Sequence, residues 1–396
     1  MNFIFISPAF PKSYFNFCSR LKGNGINVLG IGDTPYHELS NECKASLNEY
    51  YYLPTLDNYD SVYKAVAYFA YKYGKIDYLE SNNEYWLKQD SRLRDDFNID
   101  GARYNDVLGF TSKIKMKDYY KKANVKCARY KICTTIDDDL SFIELVGYPV
   151  VVKPTVGVGA NKTYKINNLD DLKAFYEEGF NTEYIMEEFI YGDIISFDGI
   201  CDSNSNVVYC DNEIFPPSIM DIVNHNLEFS YYVNKEVPKD LFEIGSRVIK
   251  AFKIKKRYFH LEFFRLKEAK KGLGEKGDIV ALEVNMRPPG GYTPDMINYA
   301  GSLDTYQIYA DIIAYDEIRN VNLNKEKYYC LYCGRRNRFN YLYSYDEIIN
   351  KYPNILMHGI IPEVLTAAMG NEFYIAKFKT EEEMNSFKNV CMAKKN

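Results

Sequence analysis

Short apolar runs alternate with amphipathic helical patterns along the first hundred residues. The apolar runs predict strands at Phe3–Ser7, Ile26–Gly30, Tyr50–Leu53 and Ile76–Glu80. The segments Pro11–Asn24 and Ser61–Tyr73 have helical periodicity. Strands that alternate with helices are typical of parallel βαβ units. We therefore predict a parallel βα domain over residues 1–108.

Two further lobes and a C-terminal extension are predicted from the patterns that follow. Residues 109–190 contain a basic helical stretch, the valine-rich strand Tyr148–Pro154, a helix at Leu169–Glu178 and a strand at Glu183–Ile190. The run of valines predicts a strand buried on both faces. Residues 191–318 contain an antiparallel pair, the helix Leu241–Phe252 and a long hairpin, and residues 319–396 form an α+β extension packed on this lobe. The fold class is therefore α/β, with α+β lobes.

The long hairpin joins His260–Leu266 to Ile279–Arg287 through a charged, glycine-containing loop. If Leu266 pairs with Ile279, Glu262 lies directly opposite Glu283, with Cβ atoms roughly 5 Å apart. Such like charges repel, and a hard divalent cation would explain them. An ordinary amphipathic hairpin with solvated acids is the alternative, and a slip of one residue would put Glu262 on the wrong face.

The ligand set of this hairpin points to Mg²⁺ or Mn²⁺. Side chains two apart on a strand share a face, so Glu283, Asn285 and Arg287 point the same way. Two carboxylates and an amide oxygen suit these ions, which keep other positions for water and phosphate oxygens. The hairpin therefore predicts a metal site beside a phosphate group.

Two strand ends are candidate nucleotide contacts. Lys153 ends the valine-rich strand just before Gly157 and Gly159, and backbone N–H groups in such loops can cradle phosphate oxygens. A lysine beside a turn is the alternative, because the GxxxxGK[ST] pattern is absent. Glu187 and Glu188 end another strand, where backbone groups and an acid can pair with an adenine edge; a solvated strand end is the alternative there.

Two short motifs predict no chemistry. Gly30 and Gly32 form half of a dinucleotide fingerprint without its third glycine. Cys330 and Cys333 lie three apart in a strand, so they should point to opposite faces rather than share a metal. We therefore expect neither NAD binding nor a zinc site.

Composition excludes some classes of function. The chain has 396 residues, 46% of them hydrophobic, and a net charge of −5 with dispersed basic residues. This argues against a nucleic-acid-binding surface. No apolar run reaches the roughly 18 residues that span a bilayer, and the N-terminus is expected to be a first strand rather than a signal peptide. We expect a cytoplasmic protein with no nucleic-acid or membrane partner.

The order of these elements over roughly residues 110–300 resembles the ATP-grasp superfamily. The matching elements are a basic helix with Lys113, VVKP before a glycine loop, EEFI-x-G, and HLEFF followed by ALEVNMR. The ending LEVNMRPPGG is similar to the Glu-x-Asn-x-Arg segment of biotin carboxylase and carbamoyl phosphate synthetase. The resemblance implies a two-lobed ATP-grasp fold after an N-terminal pre-ATP-grasp domain.

The resemblance also implies how ATP would be bound. Lys113 and Lys153 would contact its phosphates, under a lid formed by residues 155–161 that includes Gly157 and Gly159. Glu187 would accept a hydrogen bond from the adenine amine, and the backbones of Glu188 and Ile190 would pair with the ring edge. The position of the usual ribose-binding glutamate holds Ile194 instead, so either Asp193 bends in or another group binds the ribose.

The remaining implied roles concern catalysis. Glu262, Glu283 and Asn285 would hold one or two Mg²⁺ ions, and Arg287 would stabilise negative charge on an acyl phosphate and a tetrahedral intermediate. His260 would support the metal site or have a purely structural role. Phe215–Pro217 and Pro288–Tyr292 would border the acceptor site.

The implied activity is an ADP-forming ligase that joins a small carboxylate to an amine or a thiol. A bicarbonate-using carboxylase or carbamoyl-phosphate-type enzyme is one alternative, and a non-catalytic ATP-binding regulatory module is another. Many relatives are dimers, so a homodimer is expected.

Overall fold

The computed structural model describes residues 1–157, 162–215, 228–361, 363 and 366–395. Gly159, most of the predicted lid, Pro216 and Pro217 lie outside the described residues. Among the described residues, no helix is long and apolar enough to cross a membrane.

Four parallel strands form the N-terminal sheet, in the order β3-β2-β1-β4. The strands are β1 (Asn2–Ile6), β2 (Asn27–Gly32), β3 (Glu49–Tyr52) and β4 (Tyr78–Glu80). The helices are α1 (Phe15–Gly23), α2 (Asn41–Ser46), α3 (Tyr59–Tyr73), α4 (Leu87–Asp96) and α5 (Tyr104–Thr111). Phe3 and Phe5 of β1 pack with α1 on one face, and Ile4 and Ile6 pack with α3 on the other. The predicted parallel βα units are confirmed.

The GxG of the first domain lies inside β2 and has a packing explanation. A Cβ on Gly30 would lie 2.8 Å from Leu47 Cδ1, and one on Gly32 would lie 2.6 Å from the Tyr50 hydroxyl. Both glycines therefore make room for neighbouring side chains.

The second sheet is antiparallel, in the order β5-β8-β6-β7. Its strands are β5 (Tyr130–Ile132), β6 (Val150–Pro154), β7 (Tyr164–Ile166) and β8 (Tyr184–Glu188), with helices α6 (Lys113–Lys122), α7 (Ile136–Val146) and α8 (Leu169–Glu178). Val150 and Val152 are buried in the core shared with α7 and α8, whereas Val151 and Lys153 line a cavity. Val151 is only half-buried, so burial on both faces was wrong for this strand.

The third sheet has nine strands in the order β14-β13-β9-β11-β12-β15-β17-β16, and β10 also pairs with β9. The strands are β9 (Gly192–Cys201), β10 (Val207–Asp211), β11 (Glu213–Phe215), β12 (Phe229–Val233), β13 (Arg257–Leu266), β14 (Ile279–Asn285), β15 (Tyr329–Arg335), β16 (Ile355–Ile360) and β17 (Glu372–Phe378). The helices are α9 (Lys239–Phe252), α10 (Thr293–Gly301), α11 (Thr305–Tyr315), α12 (Tyr345–Lys351), α13 (Thr366–Met369) and α14 (Glu381–Met392).

The C-terminal segment is continuous with this sheet. Strand β15 pairs with β12, and β17 and β16 follow it, so residues after 318 extend the sheet that carries the hairpin. Cys330 and Cys333 of β15 lie in the cores on its two faces, as predicted, and all nine cysteines are free thiols.

Candidate active site

The hairpin of β13 and β14 brings Glu262 directly opposite Glu283, which confirms the predicted pairing. The assumed register at the loop end was wrong, because Ile279 lies opposite Arg265 rather than Leu266. A β-bulge explains both results: Leu282 is an extra residue on β14, so the pairing shifts by one between the loop and the site. Leu282 and Glu283 both line the cavity, consistent with two bulge residues on one face.

Neighbouring strands continue the polar face of the hairpin. His260 lies between Asn285 of β14 and Asp198 of β9, and Ser196 lies beside Glu262. Antiparallel partners point to the same side of a sheet. The sheet therefore presents a contiguous polar surface across three strands.

A cavity of about 680 Å³ lies between the four-stranded antiparallel sheet of β5 to β8 and the nine-stranded sheet. Its volume is that of a ligand site. Every described candidate residue lines it, namely Lys113, Lys153, Gly157, Glu187, Glu188, Ile190, Asp193, Glu262, Glu283, Asn285 and Arg287. The fold thus brings together residues that are up to 174 positions apart in sequence, from 113 to 287.

Two lysines clamp the carboxylate of Glu187. Its oxygens lie 2.5 Å from Lys117 Nζ and 2.7 Å from Lys153 Nζ. Burial raises the pKa of Glu187, but the two ammonium groups outweigh it and lower that pKa to about 2. The pKa of Lys153 rises despite burial, because Glu187 and Glu283 favour its charged form. Glu187 and Lys153 are therefore both ionised at neutral pH.

Lys117 was missed in the sequence. It lies one helical turn after Lys113 on α6, a spacing that places both lysines on one face. Lys113 Nζ lies 3.2 Å from Glu283 Oε1 and donates to the Gly157 carbonyl at 3.0 Å. The i, i+4 spacing was the available signal for Lys117.

His260 connects the buried carboxylate of Asp198 with the half-buried carboxylate of Glu262. Its Nδ1 lies 2.5 Å from Asp198 Oδ1, and its Nε2 lies 3.1 Å from Glu262 Oε1. Burial lowers the pKa of His260, but Asp198 and Glu262 outweigh it and raise the pKa to about 10. The imidazolium in turn lowers the pKa of Glu262 against the effect of burial. His260 therefore contacts the predicted metal ligand directly.

The predicted adenine-binding strand end is partly occupied by protein contacts. The Glu188 N–H donates to the Arg129 carbonyl at 3.0 Å, so the predicted contact between the Glu188 backbone and a ring edge would have to use the carbonyl group. The Glu188 carboxylate lies 2.7 Å from Arg129 Nη2. Asp193 lies 2.6 Å from Lys267 Nζ at the cavity wall. Ile194 pairs with Phe264 in the sheet.

Arg287 lies where the N-terminal domain meets the site. Its Nη1 donates to the Pro288 carbonyl at 2.8 Å, and its Nε lies 3.9 Å from Glu84 Oε2. Burial raises the pKa of Glu84, while Arg287 opposes this effect. Glu84 gave no sequence signal, because its proximity depends on how the domains pack.

The residues on the hairpin fit a hard divalent cation whose remaining ligands would be water and phosphate oxygens. Among the described residues, no cluster of three or more His, Cys, Asp and Glu side chains is arranged to hold a metal ion. Glu262, Glu283 and the Asn285 amide offer a carboxylate-rich but incomplete set on one sheet face. Mg²⁺ is commonly bound by one or two carboxylates, with water and substrate phosphates as further ligands.

Part of the chain is similar to the ATP-binding domain of a known family. Residues 112–216 match the family model of the carbamoyl-phosphate synthase L chain, ATP binding domain. The L-arginine-specific L-amino acid ligase of Bacillus subtilis is 24% identical over 267 residues, which cover 64% of this chain and 62% of that relative. The chain thus spans less than two thirds of the length of this curated relative.

Solved structures match almost the whole chain. The L-amino acid ligase from Bacillus licheniformis superposes with a TM-score of 0.71 at 13% identity, covering 98% of this chain and 96% of that one. The biotin carboxylase domain of Hydrogenobacter thermophilus 2-oxoglutarate carboxylase, in complex with MgADP, ADP and bicarbonate, gives a TM-score of 0.69 at 15% identity and covers 97% and 88%. These likenesses confirm the predicted fold class.

Proposed function

We propose, from the premise that this chain has the ATP-grasp fold, that it is an ATP-dependent, ADP-forming ligase joining a carboxylate to an amine. One observation carries the proposal. The two facing carboxylates of the hairpin, a guanidinium and two lysines from another lobe converge on one cavity. This set pairs cation ligands with groups that bind phosphate.

In this proposal, the lysines bind the nucleotide phosphates. Lys113 and Lys153 line the cavity beside Gly157, which belongs to the predicted lid. Glu262, Glu283 and Asn285 would hold Mg²⁺, which would neutralise charge on the phosphates. His260 supports this set by fixing and charge-balancing Glu262.

The reaction would have two steps. A carboxylate oxygen attacks the γ-phosphorus of ATP, the bond to the β-phosphate oxygen breaks, and ADP leaves. The nitrogen of the amine then attacks the carbonyl carbon of the acyl phosphate, loses a proton and displaces phosphate, which leaves an amide. Arg287, which lines the cavity, would stabilise the negative charge of both intermediates, and the enclosing lobes would hold the reactants together.

A bicarbonate-using enzyme is the second candidate, because one matched structure is a biotin carboxylase domain in complex with bicarbonate. The cavity supports an organic substrate instead. Beyond the polar residues it is lined by Phe215, Phe229 and Tyr231, a larger apolar surface than bicarbonate requires.

The finer assignments are part of the same proposal. We place domain boundaries near residues 108, 190 and 318, and we assign the ribose contact to Asp193, which lies at the cavity wall. The adenine amine is assigned to Glu187, and the ring edge to the Glu188 carbonyl and to Ile190. A cytoplasmic location is supported by the free thiols. The homodimer stays a prediction that analytical ultracentrifugation would check.

The test is ADP and phosphate release from Mg²⁺-ATP with pooled amino acids and small carboxylic acids. Release should require two components at once, and mass spectrometry should then find their amide. Lys153→Ala leaves Glu187 paired with Lys117, so this variant should still fold. Lys153→Ala and Glu283→Gln should both abolish release in folded protein, whereas the exposed controls Lys173→Ala and Glu183→Gln should retain it. Wild-type release from either site variant would refute the site assignment, and release driven by bicarbonate alone would favour the second candidate.

A further inference from the structure

The polar face of the nine-stranded sheet extends one strand beyond the proposed metal site. Ser196 of β9 lies opposite Glu262, and its Oγ accepts a hydrogen bond at 2.9 Å from the backbone N–H of Glu213 on β11. Glu213 thus lies two strands from Glu262 in the same row. With strands roughly 4.8 Å apart, the two backbones are on the order of 10 Å apart.

Glu213 is a buried carboxyl group that the proposed ATP chemistry does not use. It is 1% exposed and lines the cavity, and its Oε1 has no hydrogen-bond partner in the structure. The cations that line the cavity pair with other carboxylates: Lys113 with Glu283, Lys153 with Glu187 and Arg287 with Glu84. The nearby His260 is already held by Asp198 and Glu262. A buried acceptor without a partner is unfavourable, so this oxygen is poised for a ligand.

The cavity wall becomes apolar next to Glu213. Phe215 stacks on Tyr231 at 5.2 Å, and Phe229 stacks on Tyr231 at 5.0 Å. The Tyr231 hydroxyl is paired with Thr293 Oγ1 at 2.9 Å, and Met369 completes the wall. The wall therefore presents ring faces and a thioether rather than free polar groups.

We propose that Glu213 binds the ammonium group of the carboxylate substrate, which is therefore an amino acid, and that the apolar wall receives its side chain. This inference rests on the proposed function. The carboxyl group of such a substrate would face Arg287 and the metal ligands, with its ammonium toward β11. Burial and then the Asp198 carboxylate raise the pKa of Glu213 well above its ordinary value, and a bound ammonium would offset both effects. The apolar wall favours side chains such as those of leucine and phenylalanine.

The test compares amino acids with their analogues that lack the amine. L-Phenylalanine and L-leucine are paired with 3-phenylpropionate and 4-methylpentanoate, and both binding by calorimetry and ADP release are measured. Wild-type protein should bind the amino acids more tightly. Glu213→Gln should raise their dissociation constants and KM values roughly 10- to 100-fold, the loss of a hydrogen bond to a charged group, while KM for ATP and kcat change little.

Asp211→Asn is the matched control. Asp211 is a buried acid two residues away that pairs with the Tyr209 hydroxyl and does not line the cavity. This variant should leave amino-acid binding unchanged. A Glu213→Gln protein with normal amino-acid binding, or one that loses kcat equally with both classes of acid, would overturn the inference.

Two further outcomes separate this inference from the proposed function. Amino-acid binding that depends on Glu213, without any ADP release, would support the inference and refute the ligase. If wild-type protein binds each amino acid and its amine-free analogue equally well, the inference is overturned whatever the variants do. The ligase proposal would still stand in that case if ADP is released.

Discussion

Replacing Glu187 by glutamine should destabilise the protein, because two buried ammonium groups would lose their counter-charge. Lys117 and Lys153 both lie within 2.7 Å of the Glu187 carboxylate, and all three side chains are at most 9% exposed. The amide of Glu187→Gln keeps the size of the side chain but not its charge. Removing one member of a buried ionic cluster typically costs about 3–5 kcal/mol.

The pKa of Glu187 gives an independent magnitude. It falls from an ordinary 4.5 to about 2, and each pKa unit corresponds to about 1.4 kcal/mol. Ionised Glu187 therefore contributes about 3 kcal/mol to the free energy of unfolding at neutral pH. Because the folded pKa lies below the unfolded one, this contribution is complete above about pH 4.5 and is lost as the pH falls towards 2.

Urea denaturation followed by far-UV circular dichroism, without nucleotide, measures the effect. At pH 7 the free energy of unfolding of Glu187→Gln should be lower by about 3 kcal/mol, and the difference should shrink between pH 5 and the lowest pH at which the protein is folded. The control is Glu183→Gln, an exposed glutamate just before β8, which should behave as wild type. A variant as stable as wild type at pH 7, or a deficit that does not change with pH, would refute this reasoning.

Two further predictions concern stability away from the cavity. Glu80→Gln should lower the free energy of unfolding by about 3–5 kcal/mol. The buried guanidinium groups of Arg94 and Arg257 lie 2.8 and 2.7 Å from the same Glu80 oxygen and would lose their counter-charge. A loss below about 1 kcal/mol in urea denaturation would contradict this ionic explanation of the domain contact. Gly199→Ala should cost about 1–3 kcal/mol, because its Cβ would collide with the Tyr209 carbonyl. An unchanged thermal midpoint would show that the strands can move apart there.

The hairpin was predicted correctly at the site and wrongly at its loop. Alternation along β13 and β14 identified the faces, and the pairing of Glu262 with Glu283 was correct. The assumed pairing of Leu266 with Ile279 was wrong by one residue, and the bulge at Leu282 compensates for that error. A bulge changes the count on one strand only, so alternation alone does not reveal it.

The strand order of the nine-stranded sheet could not be predicted from the local sequence pattern. A strand through Cys330 and Cys333 was predicted, and β15 contains both residues, but its pairing with β12 joins residues about a hundred positions apart. Such a pairing depends on which edges are free after the rest of the sheet has formed. The C-terminal part was therefore predicted as an extension packed on the lobe of residues 191–318, whereas its strands β15, β16 and β17 belong to the same nine-stranded sheet as the hairpin.

Helix α11 was missed because it has no polar face to give a clear periodicity. Its sequence is TYQIYADIIAY, and most of it is buried in the core shared with the N-terminal domain. Contacts between domains also hid Glu84, which meets Arg287 only when the domains pack. Lys117, in contrast, could have been predicted, because it lies four residues after Lys113 and so on the same face of α6.

The central claim is that the carboxylate substrate is phosphorylated, and oxygen-isotope transfer tests it most directly. The substrate found by ADP release is labelled with ¹⁸O in its carboxyl group and turned over with Mg²⁺-ATP and the amine, and the released phosphate is analysed by mass spectrometry. An acyl phosphate intermediate predicts one ¹⁸O atom in each phosphate, because a carboxylate oxygen attacks phosphorus and leaves with it. Phosphate without label, formed at the same rate as the amide, would contradict the account.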